Sequence, residues 1–447
     1  MAPARTAALE VLRRVGGGAT LAEALVRERD GLPDARDRAL TTEIATGTLR
    51  WRGAIDRVIG EASGRPLSKI DPAVLDVLRL SAYQLLHLDR LPPRAIVHDA
   101  VDLVRRGGHA SAAGFVNAVL RRVASSRGTS LATPPPPGGE ALVAHLSASG
   151  SHPAWLVARW LERFGPDATR RWMAFNNAPA PLALRVNRLK GTRDDLQKRL
   201  AAEGVSGRPT EWAAHGLIVA SGNPIGGASA SAGLFVVQDE ASQIVGELAA
   251  AWAGGTVLDA CAAPGGKTLA LLEAKAPSGL VVGADRRPRR LRLLRETLQR
   301  IASSRVPLVQ IDLSRPLPFR DAFDLVVVDA PCSGLGTVRR EPDLKWRRAE
   351  ADLEVFSAVQ HRMLESAARA VAPGGRVIYA TCSSEPDEND AVVARFLERH
   401  PRFSLGGPDA RYPPGLALLV EPGGMLRTSP DRHGLEAFFA AVLERAP

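Results

Sequence analysis

The sequence predicts a chain of several domains that ends in a doubly wound α/β sheet, preceded by a small α+β module and an all-α domain. Three observations predict it. From residue 5 to about 125, apolar residues recur at three- and four-residue steps, the period of helices with one buried face. After about residue 236, apolar runs of strand length alternate with longer helical stretches, the texture of buried parallel strands joined by crossover helices. Between the two, residues 141–235 mix both patterns. At 447 residues the chain exceeds what one hydrophobic core supports; the expected divisions are 1–126, a Pro/Gly-rich linker over 127–140 containing Pro134 to Pro137, 141–235 and 236–447.

In the first block Val74, Leu78, Ala82 and Leu85 form one helical stripe, and Asp71-Pro72 reads as an N-cap followed by a first-turn proline. Six or seven such helices are expected. The middle block offers helices over Trp155–Phe164 and Asp194–Glu203 and strands over Leu182–Val186 and Gly216–Ala220. In the last block the strand candidates are Thr256–Asp259, Leu280–Asp285, Val306–Ile311, Phe323–Asp329 and Arg376–Thr381. Ligands of such sheets sit beyond the carboxyl ends of the strands. All three cysteines, Cys261, Cys332 and Cys382, lie just past those ends.

Composition narrows the class. The chain is 45% hydrophobic and 24% charged, ordinary for a globular protein. No run of about 18 apolar residues occurs, and Arg13 and Arg14 stand where a secretory leader would carry its apolar core, so a cytoplasmic protein without a membrane partner is expected. An odd number of distant cysteines excludes a disulfide framework and a close-spaced zinc set, and the nine histidines are scattered, so no metal is expected. A formal charge of +10 suits a nucleic acid partner, although 52 arginines against 6 lysines amid abundant Ala, Gly and Pro fit a base-composition effect equally well. A monomer is expected.

Val257 to Thr268 reads as a strand, a tight turn and a helix start. Its glycines let backbone approach a ligand closely, and helix-terminal N–H groups favour negative charge, so a nucleotide-like ligand fits. A phosphate-binding loop competes for Gly266-Lys267-Thr268, but its first glycine would have to stand where Cys261 is. Asp285, ending the next strand, can accept from ribose hydroxyls, and Asp312 closes the third within reach of an adenine ring. A lone aspartate is more often a helix cap; two at successive strand ends favour a ligand.

An isolated cysteine is ordinarily a small buried hydrophobe. Two at equivalent strand ends, Cys332 in Asp329-Ala330-Pro331-Cys332-Ser333-Gly334 and Cys382 after Arg376–Thr381, weaken that reading. Ser384 with Asp387 gives a capping pattern, and Val392, Val393, Phe396 and Leu397 an apolar helix face, so Cys382 is expected at a helix N-terminus that would favour its thiolate.

Asp259–Thr268, Asp329–Gly334 and Tyr379–Ser383, with Val237-Gln238-Asp239 and the run from Arg339 to Trp346, resemble the Nop/Sun family of RNA cytosine carbon-5 methyltransferases. The helical block, with Arg38, Glu43, Gly47, Arg50 and Phe115 to Arg121, is similar to the RNA-binding domain of NusB type, so the resemblance covers nearly the whole chain. It implies an α/β Rossmann-like S-adenosylmethionine methyltransferase domain of seven strands behind an all-α NusB-like domain and the α+β module. It also implies formation of 5-methylcytosine in RNA, the substrate being small-subunit ribosomal RNA at a cytosine of the 967 type. Cytosine carbon-5 is too weak a nucleophile to take a methyl group directly, so a thiolate first adds to carbon-6. By the same resemblance Cys382 is that nucleophile and Cys332 serves release. Cys261, Ala262, Ala263, Pro264, Gly265, Gly266, Lys267, Asp285, Asp312 and Asp329 line the S-adenosylmethionine site, with Lys267 and Asp329 also touching the base. The ending Gly434 to Phe439 departs from the family's Asp-Gly-Phe-Phe, keeping only the two phenylalanines.

RNA readers pair cations for phosphate with planar groups for unpaired bases. Arg339, Arg340, Lys345, Trp346 and Arg348, directly after the Cys332 loop, are therefore expected to contact RNA, whereas the basic helix over Arg286–Arg300 reads equally well as a solvated face. A DNA cytosine methyltransferase would use a single Pro-Cys nucleophile, and the Thr-Cys site argues against it. A non-catalytic RNA-binding assembly factor would not need both cysteines and the cofactor residues.

Overall fold

A computed structural model describes residues 3–126, 136, 138–302, 305–407 and 411–447, so most of the expected linker lies outside the described residues. The chain forms two compact units, Met1–Pro179 with Val338–Glu350, and Ala180–Thr337 with Ala351–Pro447.

The first unit is helical: Pro3–Gly16, Leu21–Arg29, Ala35–Arg50, Arg52–Ser63, Pro72–His87, Pro93–Arg106, Ala113–Ser125, Gly139–Gly150 and Ala154–Asn177. Asp71 caps as the sequence predicts, its Oδ1 accepting from the Ala73 and Val74 amides at 2.9 and 3.3 Å. Ile44, Ile55, Ile59, Leu78, Leu80 and Leu85 fill the core. Position 47 must be glycine, because a Cβ there would lie 1.9 Å from the Tyr83 ring, whose hydroxyl donates to Glu43 at 2.6 Å. The helices over 139–177 group with this unit rather than with the α+β module expected to begin at 141. Trp160 and Trp172 are buried there, and Ser151 Oγ accepts from the Gly53 amide at 2.9 Å. The helix predicted over Trp155–Phe164 does break at Gly165, whose φ of 73° is left-handed, before resuming at Pro166.

The segment Val338–Glu350 also belongs to this unit, which corrects one expectation. Lys345 is fully buried, donating to the Arg50 carbonyl at 2.9 Å and Asn177 Oδ1 at 3.3 Å, and burial followed by the Arg50 charge pushes its ammonium well down. It cannot reach a phosphate. The Trp346 indole N–H donates to the Leu49 carbonyl at 2.6 Å, and Arg339 binds the Pro179 carbonyl at 2.7 Å while its guanidinium stacks 4.3 Å from the Phe175 ring. These side chains tie the segment to the helices. Arg340 and Arg348 are half-buried.

The second unit opens with a small antiparallel sheet of order β2-β3-β1-β4, made of β1 Ala183–Val186, β2 Ser206–Pro209, β3 Gly216–Ser221 and β4 Phe235–Val237. β1 and β3 match the sequence reading; β2 and β4 are additional. Arg185 of β1 forms a bidentate, fully buried pair with Glu273 on the helix Gly266–Ala274, fixing this module against the next.

The large sheet contains β5 Thr256–Asp259, β6 Leu280–Asp285, β7 Leu308–Gln310, β8 Phe323–Asp329, β9 Val371–Thr381, β10 Phe403–Leu405, β11 Leu426–Arg427 and β12 Phe439–Arg445. Its order is β10-β12-β9-β8-β5-β6-β7, with β11 paired to β12 off this path: seven strands in line, as the resemblance implies, and an eighth beside them. β9, β8, β5, β6 and β7 run parallel, while β12 lies antiparallel on β9. Successive residues point to opposite faces: Val257, Val327 and Ile378 into one core with Ile244, Leu269 and Leu294, and Leu258, Val326, Val328 and Tyr379 into the other with Leu364 and Phe396. Burial on both faces is why these strands read as unbroken apolar runs. After β7 the chain returns to the other side of β5, so the winding reverses between β5 and β8, where such sheets open their ligand crevice. Among the described residues no helix is long and apolar enough to cross a membrane, and no group of three or more His, Cys, Asp or Glu side chains could hold a metal ion.

Candidate active site

The loop after β5 is built by its glycine. Gly265 has φ 115°, which lets the chain turn directly into the helix Gly266–Ala274, and the Ala262 amide donates to the Ala284 carbonyl at 2.8 Å, stitching the loop to the end of β6. Thr268 donates to Asp259 Oδ2 at 2.7 Å; Asp259 is fully buried, and burial raises its carboxyl to about 6 against that bond. Lys267 points to the end of β8, donating to Asp329 Oδ2 at 2.8 Å and to Ser242 Oγ at 3.0 Å. Burial lowers its ammonium, but the charge and hydrogen bond of Asp329, with help from Asp259 and Cys382, outweigh it and leave the ammonium raised.

Beside the loop lies a cavity of about 420 Å³ lined by Cys261, Ala262, Ala263, Pro264, Gly266, Lys267 and Asp329 from the expected set, and by Gln238, Ser242, Thr297 and Arg300. Its size falls in the range of small-molecule sites. Gly265, Asp285 and Asp312 do not line it. Asp285 is held by the Arg287 amide at 3.0 Å and by Arg290 at 3.3 Å, and Arg290 also donates to the Ala263 carbonyl, linking that carboxylate to the loop. The Asp312 carboxyl is lowered, first by its hydrogen bond from Ser314, and the Arg286 guanidinium stands 4.0 Å away.

The two cysteine loops leave adjacent parallel strands. Asp329 of β8 is in register with Ala380 of β9, and the Ala330 amide donates to the Ala380 carbonyl at 2.8 Å. This register brings Cys332 Sγ to 3.2 Å from Cys382 Sγ, both thiols free and partly accessible. The hydrogen bond to Cys382, then burial, then the charges of Cys382 and Glu388 hold the Cys332 thiol well above the usual thiol range. The C-terminal departure leaves this region tied down: Gly336 donates to the Cys382 carbonyl at 2.9 Å and accepts from the Ala437 amide at 3.0 Å, and Phe438 places its ring 5.8 Å from Lys267 Nζ.

One expectation fails here. The helix after Cys382 begins at Asp390, eight residues on, and Ser384 and Asp387 do not cap it; a short 3-10 turn, Pro386–Glu388, intervenes. Cys382 therefore lies at a strand end, not at a helix terminus. Site residues outside the predicted set include Ser242, Thr297 and Arg300 on the cavity wall and Glu388 beyond the thiols. Ser242 stands four residues after Gln238 of the Val237-Gln238-Asp239 string. Glu388 lies in the acidic run Glu385, Asp387, Glu388, Asp390 just past the thiol.

Comparisons find the same three parts in the same order, the ferredoxin-like match extending across the boundary between the two units at Pro179. The family model for "16S rRNA methyltransferase RsmB/F" matches residues 249–444, that for the NusB family residues 2–125, and that for a ferredoxin-like domain of RsmF/B-like methyltransferases residues 152–226. The chain is 32% identical to the probable ribosomal RNA small subunit methyltransferase B of Bacillus subtilis, over 92% of this chain and 91% of that protein. It is 33% identical to the ribosomal RNA small subunit methyltransferase B of Pseudomonas putida, over 95% and 96%. The crystal structure of PH0851 aligns with a TM-score of 0.80 at 28% identity, covering 100% of this chain and 99% of that one.

Proposed function

Since the chain belongs to the 16S rRNA methyltransferase RsmB/F family, whose members depend on S-adenosylmethionine, we propose that it methylates carbon-5 of a cytosine in small-subunit ribosomal RNA through a covalent Cys382 adduct. The observation that supports this chemistry most directly is the 3.2 Å approach of the Cys332 and Cys382 sulfurs at the sheet edge that also carries Lys267 and Asp329.

Bound S-adenosylmethionine would supply an electrophilic methyl group. The residues lining the 420 Å³ cavity fit such a ligand: Cys261 to Pro264 and Gly266 form a wall of backbone and small side chains, and Lys267 and Asp329 close it toward the thiols. Asp285 and Asp312, outside that cavity, are assigned to the nucleoside end by their strand-end positions. Cys382 adds through sulfur to carbon-6 of the base, making carbon-5 enamine-like and able to take the methyl group. Lys267, held by Asp329 and Ser242, offers an N–H at the ring edge where negative charge develops. A base, water or a neighbouring side chain, takes the carbon-5 proton, the freed electron pair re-forms the carbon-5–carbon-6 double bond, and Cys382 leaves carbon-6 with the electrons of the carbon–sulfur bond, restoring the aromatic ring. Cys332, kept as a thiol 3.2 Å away, is assigned to this release as the proton donor to the departing sulfur. Reaching a ring atom at a sheet edge requires an unpaired or flipped cytosine. Arg340 and Arg348 are assigned, by charge, to phosphate contacts; Lys345 is not.

The test uses the full chain, an in vitro small-subunit ribosomal RNA transcript and labelled S-adenosylmethionine. Cys382→Ala should lose both methyl incorporation and denaturant-resistant RNA adducts, and Cys332→Ala should accumulate adducts. Normal turnover by Cys382→Ala defeats the proposal. Bisulfite sequencing of ribosomal RNA from a deletion strain identifies the modified cytosine.

A further inference from the structure

Glu388 is fully buried in the 3-10 turn beyond Cys382, and its carboxylate joins the two cysteine loops. Oε1 accepts from the Ser333 amide at 2.8 Å and from Gln360 Nε2 at 3.0 Å, while Oε2 accepts from the hydroxyls of Ser333 and Ser383. Ser333 follows Cys332 and Ser383 follows Cys382, so one side chain grips the residue next to each thiol. The grip is braced on both sides. Gln360 also donates to the Pro331 carbonyl at 3.0 Å, just before Cys332, and Asn389 donates to the Ser383 carbonyl at 3.0 Å, just after Cys382. Tyr379 of β9 donates to the Glu388 carbonyl at 2.6 Å, anchoring the turn to the strand that ends at the nucleophile.

We propose that Glu388 is a positioning residue for the two thiols, fixing the Pro331-Cys332-Ser333 loop against the Thr381-Cys382-Ser383 loop so that the sulfurs keep their 3.2 Å approach. A carboxylate suits this place because it only accepts, and three donors from the two loops and one from the helix Asp352–Ala370 converge on it. No neutral side chain of that length accepts from all four without one donor turning. Its negative charge also helps hold Cys332 as a thiol, the form that can protonate the departing Cys382 sulfur. The purpose of the clamp rests on the covalent chemistry proposed above, but the contacts do not.

The distance between the sulfurs can be tested without RNA. Diamide, a diazene oxidant, takes two electrons and two protons from a pair of thiols, forming one S–S bond and becoming a hydrazine. Peptide mapping then follows the Cys332–Cys382 disulfide separately from Cys261. Glu388→Ala, which leaves four donors without their acceptor, should form it about tenfold more slowly than the wild type. Glu388→Gln keeps an oxygen for the Ser333 amide and Gln360 and turns its NH2 to the serine hydroxyls, which can rotate to accept; it should recover the rate to within about threefold. S-adenosylmethionine affinity by calorimetry should stay within about twofold in every variant, because Glu388 lines no part of the cofactor cavity, whereas kcat for methyl transfer should fall about tenfold in Glu388→Ala with KM for S-adenosylmethionine unchanged. If Glu388→Ala does not fold, Ser383→Ala removes one strand of the grip and gives the same comparison. Equal disulfide rates in the wild type and the loosened variant overturn the assignment. Slower disulfide formation in Glu388→Ala, together with a wild type that methylates no cytosine, upholds the clamp and sinks the proposed reaction instead.

Discussion

Replacing Lys267 by methionine keeps the length of the side chain and deletes its ammonium, leaving Asp329 without the cation now 2.8 Å away. At an effective dielectric of about 20 that contact is worth roughly 6 kcal/mol of gross attraction. Much of it is offset by the cost of burying the lysine, whose side chain is 9% exposed, and Asp329, at 30% exposure, can regain some water once alone. The net loss should therefore sit at the lower end for a broken buried pair, about 3 kcal/mol. For a domain of this size that lowers the melting temperature by about 6–12 °C. Differential scanning fluorimetry of the wild type, Lys267→Met, Asp329→Asn and the double variant closes a double-mutant cycle, in which the second change should restore at least about 1 kcal/mol of what the first removed. Because the lysine ammonium is raised above its ordinary 10.5, the pair's contribution is complete throughout the neutral range and is lost only as pH rises through the elevated value. A Lys267→Met protein melting within about 2 °C of the wild type, or an Asp329→Asn change that rescues nothing, would refute this account of the pair.

Asp259 should produce a slope of the same sign at lower pH. Its folded value of about 6 exceeds its ordinary 3.8, so its contribution is complete below pH 3.8 and is lost as pH rises through 6. Asp259→Asn should flatten the fall of up to about 3 kcal/mol expected across that window, read as melting temperature against pH. Arg185→Met should cost about 3–5 kcal/mol by stranding the fully buried Glu273, and urea unfolding followed by tryptophan fluorescence measures it. Lys345→Met should leave the slope of log affinity for RNA against log salt unchanged, whereas a slope smaller by about 0.7–0.9 would return that lysine to the RNA surface.

The parallel core of the large sheet was readable because strands buried on both faces leave no polar residue to break them: β5, β6, β8 and the end of β9 fall where their apolar runs stand. The thiols were readable for the same reason, since a strand end fixes where the next few residues emerge. β12 was not. Phe438 to Leu443 is as apolar as the others, but an antiparallel strand needs no crossover helix before it, so the alternation of runs and helices gave it no place. The group from Arg339 to Trp346 misled because a basic run reads alike whether its cations meet solvent or backbone carbonyls; only the carbonyls of Leu49, Arg50 and Pro179 decide. Glu388 escaped notice because nothing local separates a carboxylate bridging two distant loops from its acidic neighbours on the same turn.

Thirteen residues of the catalytic half of the polypeptide, Val338 to Glu350, are thus on loan to the helical half. A fragment beginning at Ala180 would keep every reactive group yet strip Lys345 and Trp346 of the carbonyls that receive them, exposing an unpaired lysine and an indole immediately downstream of Cys332. The two units cannot be parted by a single cut. A separately produced amino-terminal piece would need that short peptide supplied in trans to regain its own packing.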